Sequence, residues 1–337
     1  MPKRHRPGAS AASILRHIEE IVLATSGEDA FETVYAVAAK RLGAQALQVA
    51  RVRDRKLFAR VDALLADALH DESTLDAIFE SLVPRVAKGD KGQFFTPRSV
   101  VDFVIDMLAP RKRELVVDPA CGSGAFLSRA RAAGAKARGA DVDGRAVRVA
   151  RLLAAAAGAG IDTVEREDSL RARPAYTADV VATNPPFAGR VDGSGFSVAE
   201  VVRTPERDVL FLERALELLR PGGRLGIVLP YNKASASAFA GMRRWLVERA
   251  RVLAVVGLPR ETFLPHTSQR TFVLFARKRA AGRAASPAER TFFAISERAG
   301  KDTGGEPIFT ATGALDHDLA DVARSLGPFL RAEGFGA

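Results

Sequence analysis

Leu115-Val116-Val117-Asp118-Pro119-Ala120-Cys121-Gly122-Ser123-Gly124-Ala125-Phe126 is the stretch that decides how this chain folds. An apolar triplet ends on an acid. Two glycines follow, and a helical pattern then runs over 123–133. A strand, a glycine loop and a helix in that order make the first unit of a sheet with helical crossovers. Gly122 and Gly124 let the backbone take positive φ and come close to a ligand. The helix behind them offers unpaired N–H groups at the positive end of its dipole. The third glycine of a dinucleotide fingerprint and the lysine of a P-loop are both missing, which disfavours pyrophosphate and nucleoside triphosphate. Asp118 and the open amides around Ala120 suit a zwitterionic amino-acid tail, ammonium on the acid and carboxylate on the amides.

The same alternation continues outward. Strand patterns fall at 180–182, 225–229, 252–256 and 272–275, with weaker ones at 137–142 and 163–167 and a further one at 291–295. Helical patterns fall at 143–157, 207–219 and 236–250, and a terminal one near 318–332. This predicts an α/β fold with a doubly wound, largely parallel sheet. Such sheets bind ligands beyond the carboxyl ends of their strands, near the point where strand order reverses. Asp141, in Gly139-Ala140-Asp141-Val142-Asp143, ends the second strand and suits two ribose hydroxyls. Asp168, in Glu167-Asp168-Ser169, ends the third and suits an adenine amine. Each acid alone reads as a surface or capping residue. Three of them at three successive strand ends specify an adenosyl group with an amino-acid tail, S-adenosylmethionine.

Asn184-Pro185-Pro186-Phe187 follows the apolar run Asp179–Ala182. The two prolines remove backbone donors and stop the strand. What remains is an amide, carbonyls without competing N–H groups and an aromatic face. That cage fits a planar substrate with an exocyclic NH2, although a rigid turn around a core phenylalanine satisfies the same four letters. Upstream, in Gly92-Gln93-Phe94-Phe95-Thr96-Pro97, Thr96 reads as a helix N-cap with Pro97 at the first helical position.

The chain has 337 residues, a formal charge of +10 and 47% apolar residues. That is enough for one large α/β domain and a helical appendage, and the charge permits attraction to a polyanion. One cysteine, Cys121, excludes an intramolecular disulfide and a cysteine zinc site, and the five histidines lack ligand spacing, so no metal is expected. No membrane-spanning run or signal-peptide core is present, so a soluble, cytoplasmic protein is expected. Four regions are read: a disordered basic tail at 1–10, a helical region at 11–90, a catalytic domain at 91–280 and a C-terminal extension at 281–337. In the helical region, Ile14, Ile18, Ile21 and Val22, then Leu64, Leu65 and Leu69, then Ile78, Phe79 and Leu82 repeat at helical spacing.

In order, GQFFTP, DPACGSGAF, GADVD, EDSL and NPPF resemble the amino-type DNA methyltransferases. They are most similar to the modification subunit of type I restriction systems and its N6-adenine relatives. The resemblance spans about 78–337 and continues through Leu210–Pro230 with Glu213, Val255–Thr271 with Phe263, and the tail from Ala294 through Gly300-Lys301-Asp302 and Gly305 to Leu319. It implies a class I methyltransferase fold, seven strands with the last, 270–277, antiparallel. It implies that Phe94, Thr96, Asp118, Ala120, Gly122, Gly124, Phe126, Asp141 and Asp168 line S-adenosylmethionine together with Asn184. Asn184, Pro185, Pro186 and Phe187 would hold a flipped adenine of double-stranded DNA. The N4 amine of cytosine needs the same cage, but Phe187 favours adenine. Free-standing relatives carry a target-recognition domain after the catalytic one. Here only 278–337 follow, so sequence choice is expected from a separate specificity subunit, with a restriction subunit as a further partner. Other substrates for such a cage are RNA, a protein glutamine amide or a small molecule, and a non-catalytic subunit binding cofactor and DNA would carry it too. Relatives acting on RNA or glutamine usually have Tyr at the position of Phe187 and lack GQFFTP.

Overall fold

A computed structural model describes residues 96–172, 176–187 and 189–335, and before them residues 17, 20, 21, 27–44, 47, 54–66, 75, 78 and 79. Phe94, Gln93, Phe95 and the basic tail at 1–10 lie outside the described residues. Among the described residues the helices of eight residues or more are α1 (Gly27–Arg41), α2 (Arg55–Leu65), α3 (Arg98–Leu108), α4 (Ala125–Ala132), α5 (Gly144–Ala156), α6 (Arg207–Leu218), α7 (Ala240–Arg249) and α8 (Leu319–Ala332). The strands are β1 (Leu115–Asp118), β2 (Lys136–Asp141), β3 (Val164–Arg166), β4 (Ala178–Thr183), β5 (Leu219–Pro230), β6 (Ala250–Gly257), β7 (Thr271–Lys278) and β8 (Phe292–Ile295). Among the described residues no helix is long and apolar enough to cross a membrane.

The strands form one sheet in the order β3-β2-β1-β4-β5-β7-β6-β8. β1 pairs in parallel with β2 and β4, and β4 in parallel with β5, while β7 runs antiparallel between β5 and β6. The expected antiparallel strand is therefore present. The expected count of seven is exceeded, because β8 adds in parallel to the outer edge of β6. Its Thr291–Ile295 run is apolar and β-branched enough to pair once the chain returns to that edge. Strand order reverses between β1 and β4.

Chain contacts divide the molecule into two compact units, residues 1–90 with 143–165 and residues 91–142 with 166–337. In the first, Asp54 caps α2 by accepting from the amides of Lys56 and Leu57, and Asp143 caps α5 through Arg145 and Ala146. Arg148 of α5 makes a bidentate bond to Glu32 of α1 at 2.6 and 2.7 Å, with its guanidinium 4.2 Å from the Tyr35 ring centroid.

In the second unit α3 lies against β5 at close range. A Cβ on Gly226 would meet Leu108 Cδ1 and Val104 Cγ1, each at 2.9 Å. Buried Arg224 fixes the end of α3. It donates to the carbonyls of Leu108 at 2.9 Å and Ala109 at 3.3 Å, and pairs with Glu114 at 2.6 Å. These bonds answer carbonyls that a helix C-terminus leaves without partners. The face of the sheet under α6 and α7 is filled by Leu210, Leu225, Ile227, Trp245 and Leu274, all buried.

Gly226→Val should lower the urea midpoint of unfolding, with a loss of about 1–3 kcal/mol from overpacking. Adding Leu108→Ala should recover part of it, because the two changes share one contact.

Candidate active site

β1 and β4 leave the sheet side by side, with Val116 opposite Val180 and Val117 opposite Val181. The residues after them are therefore neighbours at the point where strand order reverses. On the β4 side stands Asn184. Its Nδ2 donates to Thr96 Oγ1 at 3.0 Å. This overturns the N-cap role expected for Thr96. Pro97 occupies the cap position and α3 begins at Arg98 without a side-chain cap. The Thr96 hydroxyl is turned instead to the amide 88 residues on. That bond sets the orientation of the amide. Asn184 Oδ1 is buried and has no hydrogen-bond partner among the described residues. An acceptor left so costs about 1–3 kcal/mol, and it is the kind of atom a donor from a ligand would satisfy.

On the β1 side the glycine loop is held by two carboxylates. Asp118 Oδ1 accepts from Ala120 N at 3.0 Å, and Asp141 Oδ2 accepts from Gly122 N at 2.9 Å. Gly122 sits at φ 52° and Gly124 at φ 91°. Among the described residues a Cβ on Gly122 would meet nothing within 4 Å. α4 begins at Ala125 with no side-chain cap on its amides. Phe126 is buried in the core, on the inner face of α4. Asp168 is half-buried. It accepts from Leu170 N at 3.1 Å and lies 3.4 Å from exposed Arg171.

Asp118 is 1% exposed. Burial pushes its carboxyl up to about 7 from its usual 3.8. The nearby Asp141 charge adds to the rise. The Ala120 amide opposes it, as does the Thr183 hydroxyl, which is close but outside hydrogen-bond geometry. Burial, and then the carboxylates of Asp141 and Asp118, push the Cys121 thiol well up. It stays protonated and is a poor nucleophile.

Pro185 and Phe187 are buried and Pro186 is half-buried. The Phe187 ring meets Phe263 edge-on, centroids 5.6 Å apart at 84°. Phe263, from the loop between β6 and β7, is a site neighbour that reading the motifs one at a time does not reveal. Glu213 is another. This buried residue of α6 accepts from Ser197 N, Ser197 Oγ and Val198 N at 2.7–3.0 Å and so anchors the long connection after Phe187. A glutamate inside an apolar helical pattern was its sequence signal.

Residues 70–304 match the family model described as N-6 DNA Methylase. The chain belongs to the N-6 DNA methylase family. It is 28% identical over 246 residues to the methylase subunit of the type I restriction enzyme EcoEI of Escherichia coli. That match covers 66% of this chain and 50% of the relative, so the chain spans about half the length of that curated protein. Two solved structures share the fold. One is a modification subunit of a putative type I restriction enzyme from Vibrio vulnificus YJ016, at TM-score 0.61 and 21% identity, covering 80% of this chain and 60% of that one. The other is a putative class I S-adenosylmethionine-dependent methyltransferase from Listeria monocytogenes, at TM-score 0.69 and 17% identity, covering 95% and 97%. The fold is thus that of the class I methyltransferases, with one strand added.

The buried Asp118 gives a pH signature to this N-6 DNA methylase fold. The folded chain keeps the proton up to about 7, and the unfolded chain releases it near 3.8. Between those values the folded state binds more protons, so this group's contribution to stability falls as pH rises through the window. Urea unfolding of the parent and Asp118→Asn from pH 4 to pH 8 should show the variant gaining relative stability up to about pH 7 and levelling beyond it. Curves that stay parallel over the whole range would contradict the assignment.

Proposed function

We propose that this chain is an S-adenosylmethionine-dependent DNA methyltransferase acting on the N6 amine of adenine, within a restriction–modification system whose sequence choice lies in a separate specificity subunit. The observation that carries the reading is the Asn184 amide, with its nitrogen committed to Thr96 and its oxygen buried without a partner beside the glycine loop. Membership of the N-6 DNA methylase family supports DNA over RNA or a protein amide as substrate. The EcoEI relative is named as a subunit of a restriction enzyme, which supports partner subunits for specificity and restriction. Intact Asn184, Pro185 and Asp118 favour a working enzyme over a non-catalytic subunit.

Several features of the site support S-adenosylmethionine as its cofactor. Among the described residues the loop at Gly122 is open, the start of α4 is uncapped, and carboxylates stand at the ends of β1 and β2 and just after β3. Asp118, Asp141 and Asp168 would take the ammonium, the ribose hydroxyls and the adenine amine. Gly122, Gly124 and Ala120 would lie along the tail and Thr96 on the other side, with Phe94 a contact that the resemblance implies. When bound, the cofactor supplies a methyl group on a positively charged sulfur.

The protein's part is positional. The target amine is a weak nucleophile, because its lone pair is delocalised into the ring. Asn184 Oδ1 and the Pro185 carbonyl would accept its two hydrogens, drawing the nitrogen towards sp3 geometry and aiming the lone pair. Pro186 keeps the turn rigid, and Phe187 would hold the face of the base. Alignment and fixed dipoles then lower the barrier without a covalent enzyme intermediate. An amine inside a duplex cannot reach such a site, so the base must be turned out of the stack.

With labelled cofactor, the full chain together with its specificity subunit should methylate double-stranded DNA in preference to RNA or protein, and the product should be N6-methyladenine. Asn184→Ala should lower kcat by at least about a hundredfold, in the range seen when an oriented polar contact to a reacting group is lost, while cofactor affinity stays within twofold. Undiminished turnover in Asn184→Ala would remove this mechanism. Thr96→Val removes the acceptor that orients the amide and should lower kcat with KM for DNA unchanged. Thr96→Ser should restore it.

A further inference from the structure

Gly300-Lys301-Asp302-Thr303-Gly304-Gly305 takes no part in the mechanism above, yet it folds into a tight hairpin. Asp302 Oδ1 accepts from Gly304 N at 2.8 Å and Glu306 N at 2.9 Å, and Asp302 N donates to Glu306 O at 2.9 Å. Gly305 turns at φ 92°, where a Cβ would strike Pro265 N at 2.8 Å and Leu264 C at 3.0 Å. The hairpin therefore rests directly on the loop between β6 and β7. From it Lys301 Nζ reaches the backbone on both sides of one residue, donating to Thr262 O at 3.3 Å and Leu264 O at 2.8 Å. The residue between them is Phe263, 1% exposed, whose ring meets Phe187 edge-on.

We propose that Lys301 is a positioning residue: by clamping the carbonyls that flank Phe263 it fixes the ring against which Phe187 is set, and so the plane in which the site receives its base. The proposal rests on the reading of Asn184–Phe187 as the base-holding segment. An ammonium is suited to the task. It carries three donors, and its charge strengthens each bond to a carbonyl. Two such bonds from outside the loop restrain a segment that makes few ladder bonds of its own. The ring contact then passes that restraint on, because packed rings have few alternative arrangements. The C-terminal segment thereby gains a role in the site without touching substrate.

The test places 4-fluorophenylalanine at position 187 of the full chain and reads its fluorine resonance, with kinetics of methyl transfer to DNA in the presence of the specificity subunit. The parent should give one sharp resonance. Lys301→Met, which keeps the stem and loses the donors, should shift or broaden it. It should also raise KM for DNA or lower kcat by roughly tenfold to a hundredfold, the scale of a small misplacement, with cofactor affinity within twofold. Lys301→Arg should restore the signal and most of the rate. A Phe187 resonance unmoved by Lys301→Met overturns the proposal. If Lys301→Met does not fold, Phe263→Leu reads the same link, and a resonance that ignores Phe263 overturns it equally. A parent chain that fails to methylate DNA while its Phe187 signal responds to Lys301 would sink the base-holding reading and leave the clamp standing.

Discussion

The chemistry of this molecule depends on one pairing, the parallel contact of β1 with β4. It is a non-local contact, Val117 opposite Val181, and three connections, by way of β2 and β3, separate the two strands along the chain. Nothing local holds Asn184 near the glycine loop. The pairing does so because both strands are short, apolar and buried, and because each ends abruptly. Asp118-Pro119 ends one and Asn184-Pro185 the other. Proline at each exit removes the donor that would have prolonged the ladder. The two loops therefore diverge at the same level of the sheet, and the candidate site lies where they part.

The chain after Asn184 is long, and it returns to the fold through buried charge. Glu213 accepts three hydrogen bonds from Ser197 and Val198, and Trp245 Nε1 donates to Ser197 Oγ at 2.9 Å. Lys233, 1% exposed, lies 2.8 Å from Glu206 and 3.1 Å from Asp208. Burial pushes the Asp208 carboxyl up, and the Lys233 charge opposes it. Ion pairs of this kind add little net stability over an apolar substitute, but removing one partner strands the other. With the Glu213 bonds they tie the 189–206 connection to α6.

Much of this was legible in the sequence, for identifiable reasons. The strands and crossovers were readable because parallel strands buried on both faces are unbroken apolar runs. The carboxylates at 118 and 141 were readable because strand ends are marked by the switch from apolar to polar residues. Three things were hidden. Thr96-Pro97 has the local form of a helix cap, but the Thr96 hydroxyl is taken by a partner 88 residues away, and such a contact leaves no local pattern. Phe263 and Lys301 become neighbours of Phe187 only through the packing of two loops. β8 was legible as a strand, but its place beside β6 is a matter of topology. Boundaries also moved. The helix read from 236 begins at Ala240, because Ala236 and Phe239 are spent on a separate short turn.

The placement of charge is consistent with the proposed reading. The chain carries +10 overall, which favours approach of a polyanion. Yet Asp118, Asp141 and Asp168 all lie at or just beyond the ends of β1, β2 and β3, and two of them are buried. To the extent that these acids are ionised, they repel a phosphate backbone and draw in a cation. On the proposed reading those are the two things to keep apart, since the DNA must stay outside while one neutral base and one cationic cofactor come in. The high carboxyl of Asp118 fits this arrangement. Without a cation the buried acid keeps its proton, and a positive charge placed beside it favours the ionised form. The same burial that costs the fold stability above pH 4 ties the carboxylate's full charge to a positive partner.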